Sequence, residues 1–156
     1  MTQVVGNLNS DPTPPAPPAN TSVWGIGADG AISRIVSDGY GHAAGTHFVG
    51  RAASGTAASP GFKLRAQLIA SYDAQPWAGS GFTPQALIQA VATEDHSATA
   101  LGTGWNVWAT LNGSTASQQV AHIGADKVTL PGLPTADPHV ADQLWNNGGV
   151  LTISAG

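Results

Sequence analysis

Short runs of strand-forming residues, separated by glycine turns, dominate the chain from Val23 onward. The turn signals are Asp29-Gly30, Asn112-Gly113 and Asn147-Gly148-Gly149, because asparagine, aspartate and glycine tolerate the positive φ angles that tight hairpin turns require. No run shows the sustained 3.6-residue period of an amphipathic helix or a heptad repeat. The pattern therefore predicts an all-β chain with antiparallel strands, folded as a β-sandwich or a jelly-roll-like domain.

The clearest strand signal is the period-two alternation of KLRAQLIASYD, residues 63–73. The residues predicted to share one side of this strand are Leu64, Ala66, Leu68, Ala70 and Tyr72. QALIQAVATE favours a strand over a helix, because it contains Val91 and Thr93 and lies among other strands. Further short strands are predicted in THFVGRAA, WNVWATLN, QQVAHIGA, KVTLP and GVLTIS.

Composition divides the chain into a leader and a folded domain. Residues 1–22 contain SDPTPPAPPANTS, with five of the 11 prolines, and this composition favours extended polyproline II over a packed core. The leader is interpreted either as a spacer that holds the domain away from a larger body or as a disordered tail. Residues 23–132 are predicted to form the β-rich domain, and residues 133–156 its C-terminal hairpin.

The chain is poor in charged and large aliphatic residues. Only 9% of its residues are charged, and much of the 42% hydrophobic content is alanine. Ordinary soluble domains contain about 25% charged residues. Small side chains bury little apolar area per residue, so a single copy would be marginally stable. We therefore expect self-association.

Several classes of protein are disfavoured by residue content. The chain has no cysteine, which removes disulfides and thiolate metal sites. Five basic residues and a net charge of −4 disfavour binding to nucleic acid or to an anionic membrane. No apolar run approaches the roughly 20 residues that span a bilayer. MTQVVGNLNS lacks the pattern of a secretory signal peptide, so we expect synthesis in a cytoplasm.

Three stretches carry a resemblance to a known family. Residues 32–60 contain the step Phe48-Val49-Gly50-Arg51 followed by GTAASP, and residues 87–130 contain a strand and loop of the form A-x-E followed by G-T. Residues 133–156 combine LPTADP, QLW, NNGGVL and ISAG. In this order they resemble the receptor-facing domains of bacteriophage tail fibres and related virion appendages. The insert around Trp77 departs from the family pattern.

The resemblance implies a homotrimer in the virion, in a tail or head appendage, made in the host cytoplasm. It implies attachment to a bacterial surface glycan or protein, with no catalysis, no cofactor, no nucleic acid and no membrane insertion. The leader would contact other virion proteins. One alternative is a structural head fibre, decoration or collar protein. A depolymerase fragment is disfavoured, because a long β-helix and a carboxylate pair are missing.

Aromatic residues are the main candidates for ligand contact. Trp77 lies in AQPWAGSGF, a loop in which an indole can serve as a platform for a sugar ring or an apolar receptor patch. The alternative is packing beneath its own loop or across a subunit seam. The predicted ligand-contacting residues are Trp77, Tyr40, Tyr72 and Phe82. Trp105 and Trp108 should lie on opposite faces of one strand. Trp145 is predicted to anchor the C-terminal hairpin.

Acidic residues and histidines form no recognised catalytic or metal signature. TEDH is the one tight acidic cluster, and nothing singles out Glu94 with Asp73 or Asp38 as the carboxylate pair of a glycosidase. Asp38, His42 and His47 fall within ten residues, but their spacing matches no standard metal site, so we expect none. Three further histidines are expected to be hydrogen-bonded structural residues: His96, His122 and His139.

Overall fold

A computed structural model of the chain describes Val4–Asn7, Val23–Ile26 and residues 46–156. This described part is all-β and contains no helix, as the sequence predicts. Its strands are β1 (Val4–Asn7), β2 (Val23–Ile26), β3 (Ser54–Gly55), β4 (Pro60–Gly61), β5 (Leu68–Ala74), β6 (Ala86–Ala92), β7 (Thr103–Thr110), β8 (Ser117–Ile123), β9 (Val128–Thr129), β10 (Leu144–Asn147) and β11 (Val150–Ile153).

The largest element is a five-stranded antiparallel sheet with the order β5-β6-β7-β8-β9. Each strand pairs with its neighbours along the chain, so the sheet is a simple meander. The strands predicted in QALIQAVATE, WNVWATLN and QQVAHIGA are confirmed as β6, β7 and β8. The predicted turn at Asn112-Gly113 joins β7 to β8, and Gly113 has a φ of 79°.

The beginning of β5 departs from the predicted alternation. The strand starts at Leu68, so Leu64 and Ala66 lie in the preceding turn rather than on the strand. Ala66 has a φ of 67°, which is a left-handed conformation that no strand residue adopts. The side chain of Gln67 stabilises this turn, because its Oε1 accepts a hydrogen bond from the Leu64 backbone N–H at 3.0 Å.

A β-bulge then separates Leu68 from the rest of β5. Leu68 lies opposite Val91, whereas Ala70 lies opposite Ala90, so Ile69 is the extra residue in the ladder. Adjacent residues of β6 point to opposite faces, so the bulge places Leu68 and Ala70 on opposite faces as well. The prediction that both share one face is wrong for this reason.

Residues 46–53, predicted as a strand from THFVGRAA, have no regular structure. Gly50 lies directly against the Ala70 side chain of β5 and is not paired in the sheet. The next pairing in the chain joins β3 to β4. Its turn is closed by two backbone hydrogen bonds of 3.1 Å between Thr56 and Ser59.

One side of the five-stranded sheet, here called the apolar face, is nearly free of polar side chains. Residues directly opposite one another in an antiparallel ladder share a face, so the register defines continuous rows across the strands. The first row runs through Ala70, Ala90, Trp105, Ile123 and Val128. The second runs through Tyr72, Ile88, Val107 and Ala121.

The other side, the polar face, carries a hydrogen-bonding row across all five strands. This row runs through Ser71, Gln89, Asn106, His122 and Thr129. Trp108 also lies on the polar face, opposite Leu87 and Gln119. The prediction that Trp105 and Trp108 occupy opposite faces is therefore confirmed.

Within residues 46–156, the buried apolar side chains are small. Ala90 and Ala92 are 6% and 1% exposed, and no large side chain is fully buried. Large apolar side chains lie on the surface, and those of the apolar face that are more than a third exposed are Tyr72, Ile88, Trp105, Ile123 and Val128. The sheet therefore does not enclose a core of its own within this part of the chain.

The C-terminal hairpin is formed by β10 and β11. The predicted turn is confirmed: Gly148 and Gly149 have φ angles of 60° and 97°, and Asn146 Oδ1 accepts a 2.7 Å hydrogen bond from the Gly149 N–H. Beyond the hairpin, the buried Ser154 hydroxyl donates a 2.5 Å hydrogen bond to Asp137 Oδ1. This bond fastens the last residues to the turn that precedes the hairpin.

β1 and β2 pair in parallel, with Val4 opposite Val23. β1 lies within the predicted leader, ahead of its prolines, and those prolines and the predicted Asp29-Gly30 turn lie outside the described residues. The chain separates into two units, Met1–Phe48 and Val49–Gly156. The boundaries predicted after residues 22 and 132 remain predictions.

Candidate functional site

The loop between β5 and β6 holds two aromatic residues at its glycine tip. Trp77 and Phe82 form an isolated antiparallel bridge, and the Ala78 N–H donates a 2.8 Å hydrogen bond to the Gly81 carbonyl. Gly79 has a φ of 92°, an angle that favours glycine and permits this tight reversal. The loop is therefore an ordered extension of the β5–β6 hairpin, here called the aromatic loop.

The two rings contact each other and remain open to solvent. The ring centroids of Trp77 and Phe82 are 5.4 Å apart with an interplanar angle of 71°, which is an edge-to-face arrangement. Such a pair contributes about 0.5–1.5 kcal/mol beyond its buried area. Trp77 is nevertheless 61% exposed and Phe82 is 68% exposed, so most of both rings is available for contact with another molecule.

Gln85 fixes the base of the aromatic loop to the neighbouring strands. Its N–H donates a 3.0 Å hydrogen bond to the Ala74 carbonyl at the end of β5. The Thr110 hydroxyl lies 2.9 Å from the Gln85 carbonyl and 2.7 Å from its Oε1, and Gln85 Nε2 donates to the Thr115 carbonyl at 3.3 Å. These bonds position the loop relative to the β7–β8 turn.

The structure brings together two of the four predicted ligand-contacting residues. Trp77 and Phe82 are paired, as described above. Tyr72 lies in β5, on the apolar face, and is 78% exposed. Tyr40 lies outside the described residues.

The apolar face is a second candidate surface, which the sequence alone did not indicate. Trp105 lies near its centre, between Ala90 of β6 and Ile123 of β8, and is 48% exposed. Tyr72 and Ile88 are adjacent in the next row. The alternating pattern of each strand was visible, but the register that joins the strands into one surface was not.

The acidic cluster TEDH forms a corner after β6, and its side chains hold main-chain groups. Glu94 Oε1 accepts a 2.7 Å hydrogen bond from the Gly102 N–H, and Asp95 Oδ1 accepts one of 2.7 Å from the Arg65 N–H. His96 Nε2 lies 3.0 Å from the Gly102 carbonyl, as expected for a structural histidine. These interactions account for the cluster as a structural corner.

Glu94 and Asp73 do not form a carboxylate pair. Asp73 lies opposite Leu87, near the beginning of β6, whereas Glu94 follows the end of the same strand. At about 3.3 Å per strand residue, the two carboxyl groups are separated by roughly 20 Å. A glycosidase pair is about 5–10 Å apart. Asp38 lies outside the described residues.

Of the other histidines expected to be structural, His122 is hydrogen-bonded through its ring, whereas among the described residues the bond found for His139 is that of its backbone N–H to Asp137 Oδ1. His122 Nδ1 donates a 2.7 Å hydrogen bond to Asn106 Oδ1, as expected for a structural role. Of the group Asp38, His42 and His47, only His47 lies in the described part. Among residues 46–156 there is no group of three His, Cys, Asp or Glu side chains suited to a metal ion. The same residues include no helix long and apolar enough to span a bilayer.

Asp137 has a perturbed carboxyl group. The hydrogen bond from Ser154, followed by one from the His139 backbone N–H, holds the pKa of Asp137 below its ordinary value. Both bonds favour the ionised carboxylate. Because these bonds connect the residues after β11 to the turn before β10, the ionised carboxylate stabilises the C-terminal hairpin.

No protein-family model matches the sequence, and no curated protein matches it. The chain is similar to the carboxy-terminal domain of the bacteriophage T5 L-shaped tail fibre, with 24% identity and a TM-score of 0.48, over 76% of this chain and 42% of that one. A structure of the same T5 domain with its intramolecular chaperone domain gives 26% identity and a TM-score of 0.43, over 56% and 22% of the two chains. The chain thus spans less than half of the length of these structures.

Proposed function

We propose that the chain is a homotrimeric attachment domain of a bacteriophage virion that binds a glycan or protein on the bacterial surface without catalysis. The observation that carries the proposal is the exposed Trp77–Phe82 pair, held on a hydrogen-bonded loop at one end of the sheet. The three stretches that resemble tail fibres and virion appendages supply the biological setting.

The aromatic loop has the properties of a recognition surface. Exposed indole and phenyl rings offer a large apolar contact area at little conformational cost, and both stack on the apolar faces of sugars or peptides. The tight Ala78–Gly81 tip and the contacts of Gln85 order the loop before a ligand arrives. A preordered loop loses less conformational entropy on binding, which favours attachment.

The apolar face supports self-association. Exposed side chains such as Tyr72, Ile88, Trp105 and Ile123 form one continuous surface that water solvates poorly. Packing this face against the equivalent faces of two further copies around a threefold axis would bury it in a shared apolar core. Three copies also present three attachment sites, and their linkage increases the strength of attachment to a repetitive cell surface.

A binding role without catalysis is supported by the arrangement of the acidic residues. Glu94 and Asp95 hold backbone N–H groups, and Asp73 lies at the other end of β6. The leader, residues 1–22, is proposed to join the domain to other virion proteins.

The proposal is tested with purified protein, a panel of bacterial strains and an array of bacterial surface glycans. We expect a trimer by light scattering, binding to a subset of strains, and loss of that binding in Trp77→Ala/Phe82→Ala. Isolated capsule and lipopolysaccharide incubated with the protein should release no new reducing ends. Gly81→Ala is the matched control, because it changes the same loop and leaves both rings in place.

Two outcomes would overturn this function. If the parent protein binds no strain but incorporates into capsids, the structural head fibre, decoration or collar protein is the better assignment. If new reducing ends accumulate, the protein is a depolymerase.

A further inference from the structure

The polar face contains a cavity at the end of the sheet opposite the aromatic loop. Its volume is 580 Å³, and its lining includes Asn106, Gln119, His122, Thr93 and Glu94. This volume is within the range of about 300–1,000 Å³ that is typical of small-molecule sites. The aromatic loop ends where β6 begins, whereas Thr93 and Glu94 of the cavity follow the end of β6, so about 20 Å of sheet separates the loop from this end of the cavity.

Two glycines make room for the cavity wall. A Cβ at Gly104 would lie 2.8 Å from His122 Cε1 and 3.0 Å from Thr93 Cγ2. A Cβ at Gly102 would lie 2.5 Å from Glu94 Oε1. The His122 ring and the Glu94 carboxylate therefore lie directly against the backbone within and before β7. A side chain at residue 104 or 102 would displace them.

Hydrogen bonds within the cavity wall orient its polar groups. Asn106 Oδ1 accepts from His122 Nδ1 at 2.7 Å and from Gln119 Nε2 at 3.4 Å. Each of these three side chains has a second polar atom that takes no part in these bonds. Among the described residues, no partner is found for Asn106 Nδ2, Gln119 Oε1 or His122 Nε2. One donor and two acceptors are thus held on neighbouring strands.

The charges around the cavity are balanced. Its lining includes two cations, Arg65 and Lys127, and two carboxylates, Glu94 and Asp126. A site for phosphate or a polyanion has an excess of cationic side chains, and this lining has no such excess. The half-buried side chain of Val91 adds an aliphatic surface to the lining, which can contact the C–H face of a sugar ring.

We infer that this cavity is a second ligand site, which binds a neutral saccharide through the hydroxyl groups of one sugar residue. Vicinal hydroxyls each donate and accept, which matches the neighbouring amide and imidazole groups of Asn106, Gln119 and His122. The inference deepens the proposed attachment function and rests on it. Each copy would then contact the cell surface at the aromatic loop and at the cavity.

The test uses an array of neutral and acidic bacterial surface oligosaccharides, followed by titration calorimetry with the neutral oligosaccharide that gives the strongest signal. Gln119→Met keeps the side-chain volume and removes its hydrogen-bonding groups, and we expect affinity to fall about three- to tenfold. Gln89→Met is the matched control, because it makes the same change on the same face of the sheet at a residue that does not line the cavity. Asn106→Ala provides a second variant. Light scattering and melting curves accompany all three.

The outcomes separate this inference from the proposed function. Binding of the neutral oligosaccharide that survives Trp77→Ala/Phe82→Ala and falls in Gln119→Met supports the cavity site. A folded, trimeric Gln119→Met that binds as the parent does would overturn it, and so would the absence of any neutral ligand on the array. In either of these cases, whole-cell binding that depends on Trp77 and Phe82 would leave the proposed attachment function intact.

Discussion

Trp105 and Trp108 are three residues apart on β7 and lie on opposite faces of the five-stranded sheet. Trp105 is 48% exposed at the centre of the apolar face. The Nε1 of Trp108 is buried on the polar face and has no hydrogen-bond partner among the described residues. Trp108 is thus half-buried with its ring nitrogen covered by its own chain, whereas Trp105 presents a surface that a second copy of the chain can cover.

The exposed position of Trp105 gives a test of self-association. In Trp105→Glu, the carboxylate would be buried between copies without a partner, which is strongly unfavourable. We expect light scattering at micromolar concentration to show a trimer for the parent and loss of the trimer for the variant. A variant that remains trimeric with the parental melting temperature would show that the apolar face is not the interface.

The leader gives a second test. We expect a protein that lacks residues 1–20 to fold and assemble as the parent does, because the prolines of this segment cannot join a regular ladder and its described strand, β1, pairs with β2 and not with the five-stranded sheet. The measurements are the melting temperature and the molar mass in solution. Because Val4–Asn7 pairs with Val23–Ile26, a truncated protein that fails to assemble would assign the leader a structural role.

The Asp137 carboxyl predicts how the hairpin responds to acid. Its pKa is held below the ordinary value by Ser154 and His139, so its stabilising effect is fully present above the unfolded-state pKa of about 4. The effect is lost as the pH falls through the lower folded-state pKa. We expect Asp137→Asn to lower the melting temperature at pH 7 and to make it less sensitive to acid below about pH 4. Parallel melting curves for parent and variant would contradict this role.

Substitution of two glycines of the same unit by alanine is expected to affect stability to different extents. A Cβ at Gly104 meets His122 and Thr93 at 2.8 and 3.0 Å, whereas a Cβ at Gly81 meets nothing within 4 Å. We expect Gly104→Ala to cost about 1–3 kcal/mol of unfolding free energy through overpacking. Gly81→Ala should be close to neutral, and denaturant titrations of both variants measure the difference. Equal effects would show that the cavity wall adjusts freely.

The sequence predicted local features better than it predicted surfaces. The strands β6, β7 and β8 and the turns at Gly113 and Gly148 follow from alternation and from glycine, which act over a few neighbouring residues. The bulge at Ile69 and the left-handed Ala66 depend on how β5 meets β6, so no local pattern of β5 indicates them.

The candidate sites show the same limit. The composition of AQPWAGSGF allowed either an exposed Trp77 or one packed beneath its loop or across a subunit seam, and its pairing with Phe82 depends on the reversal at Gly79. The cavity was not predicted, because Asn106 and His122 are 16 residues apart and meet only through the β7–β8 register. His122 was correctly expected to be hydrogen-bonded, and its second ring nitrogen, which has no partner among the described residues, became visible only with the strands in place.

Trp77→Ala separates a ligand platform from a structural residue. Trp77 is 61% exposed, so we expect its loss to leave the melting temperature nearly unchanged. Attachment to cells should weaken, because one aromatic stacking contact contributes about 0.5–1.5 kcal/mol beyond its area and linked sites multiply that loss. If Trp77 instead packs across a subunit seam, the same change would cost roughly 3–5 kcal/mol of stability.

Trp145→Ala is the internal control for this measurement. Trp145 lies in β10 opposite Thr152, and its indole Nε1 is buried, so its removal should lower the melting temperature. The experiment compares melting curves and host-binding curves for the two variants. A strongly destabilised Trp77→Ala would reject the platform, and so would a stable Trp77→Ala that binds cells as well as the parent. The platform is supported only if Trp77→Ala loses binding while the protein keeps its stability.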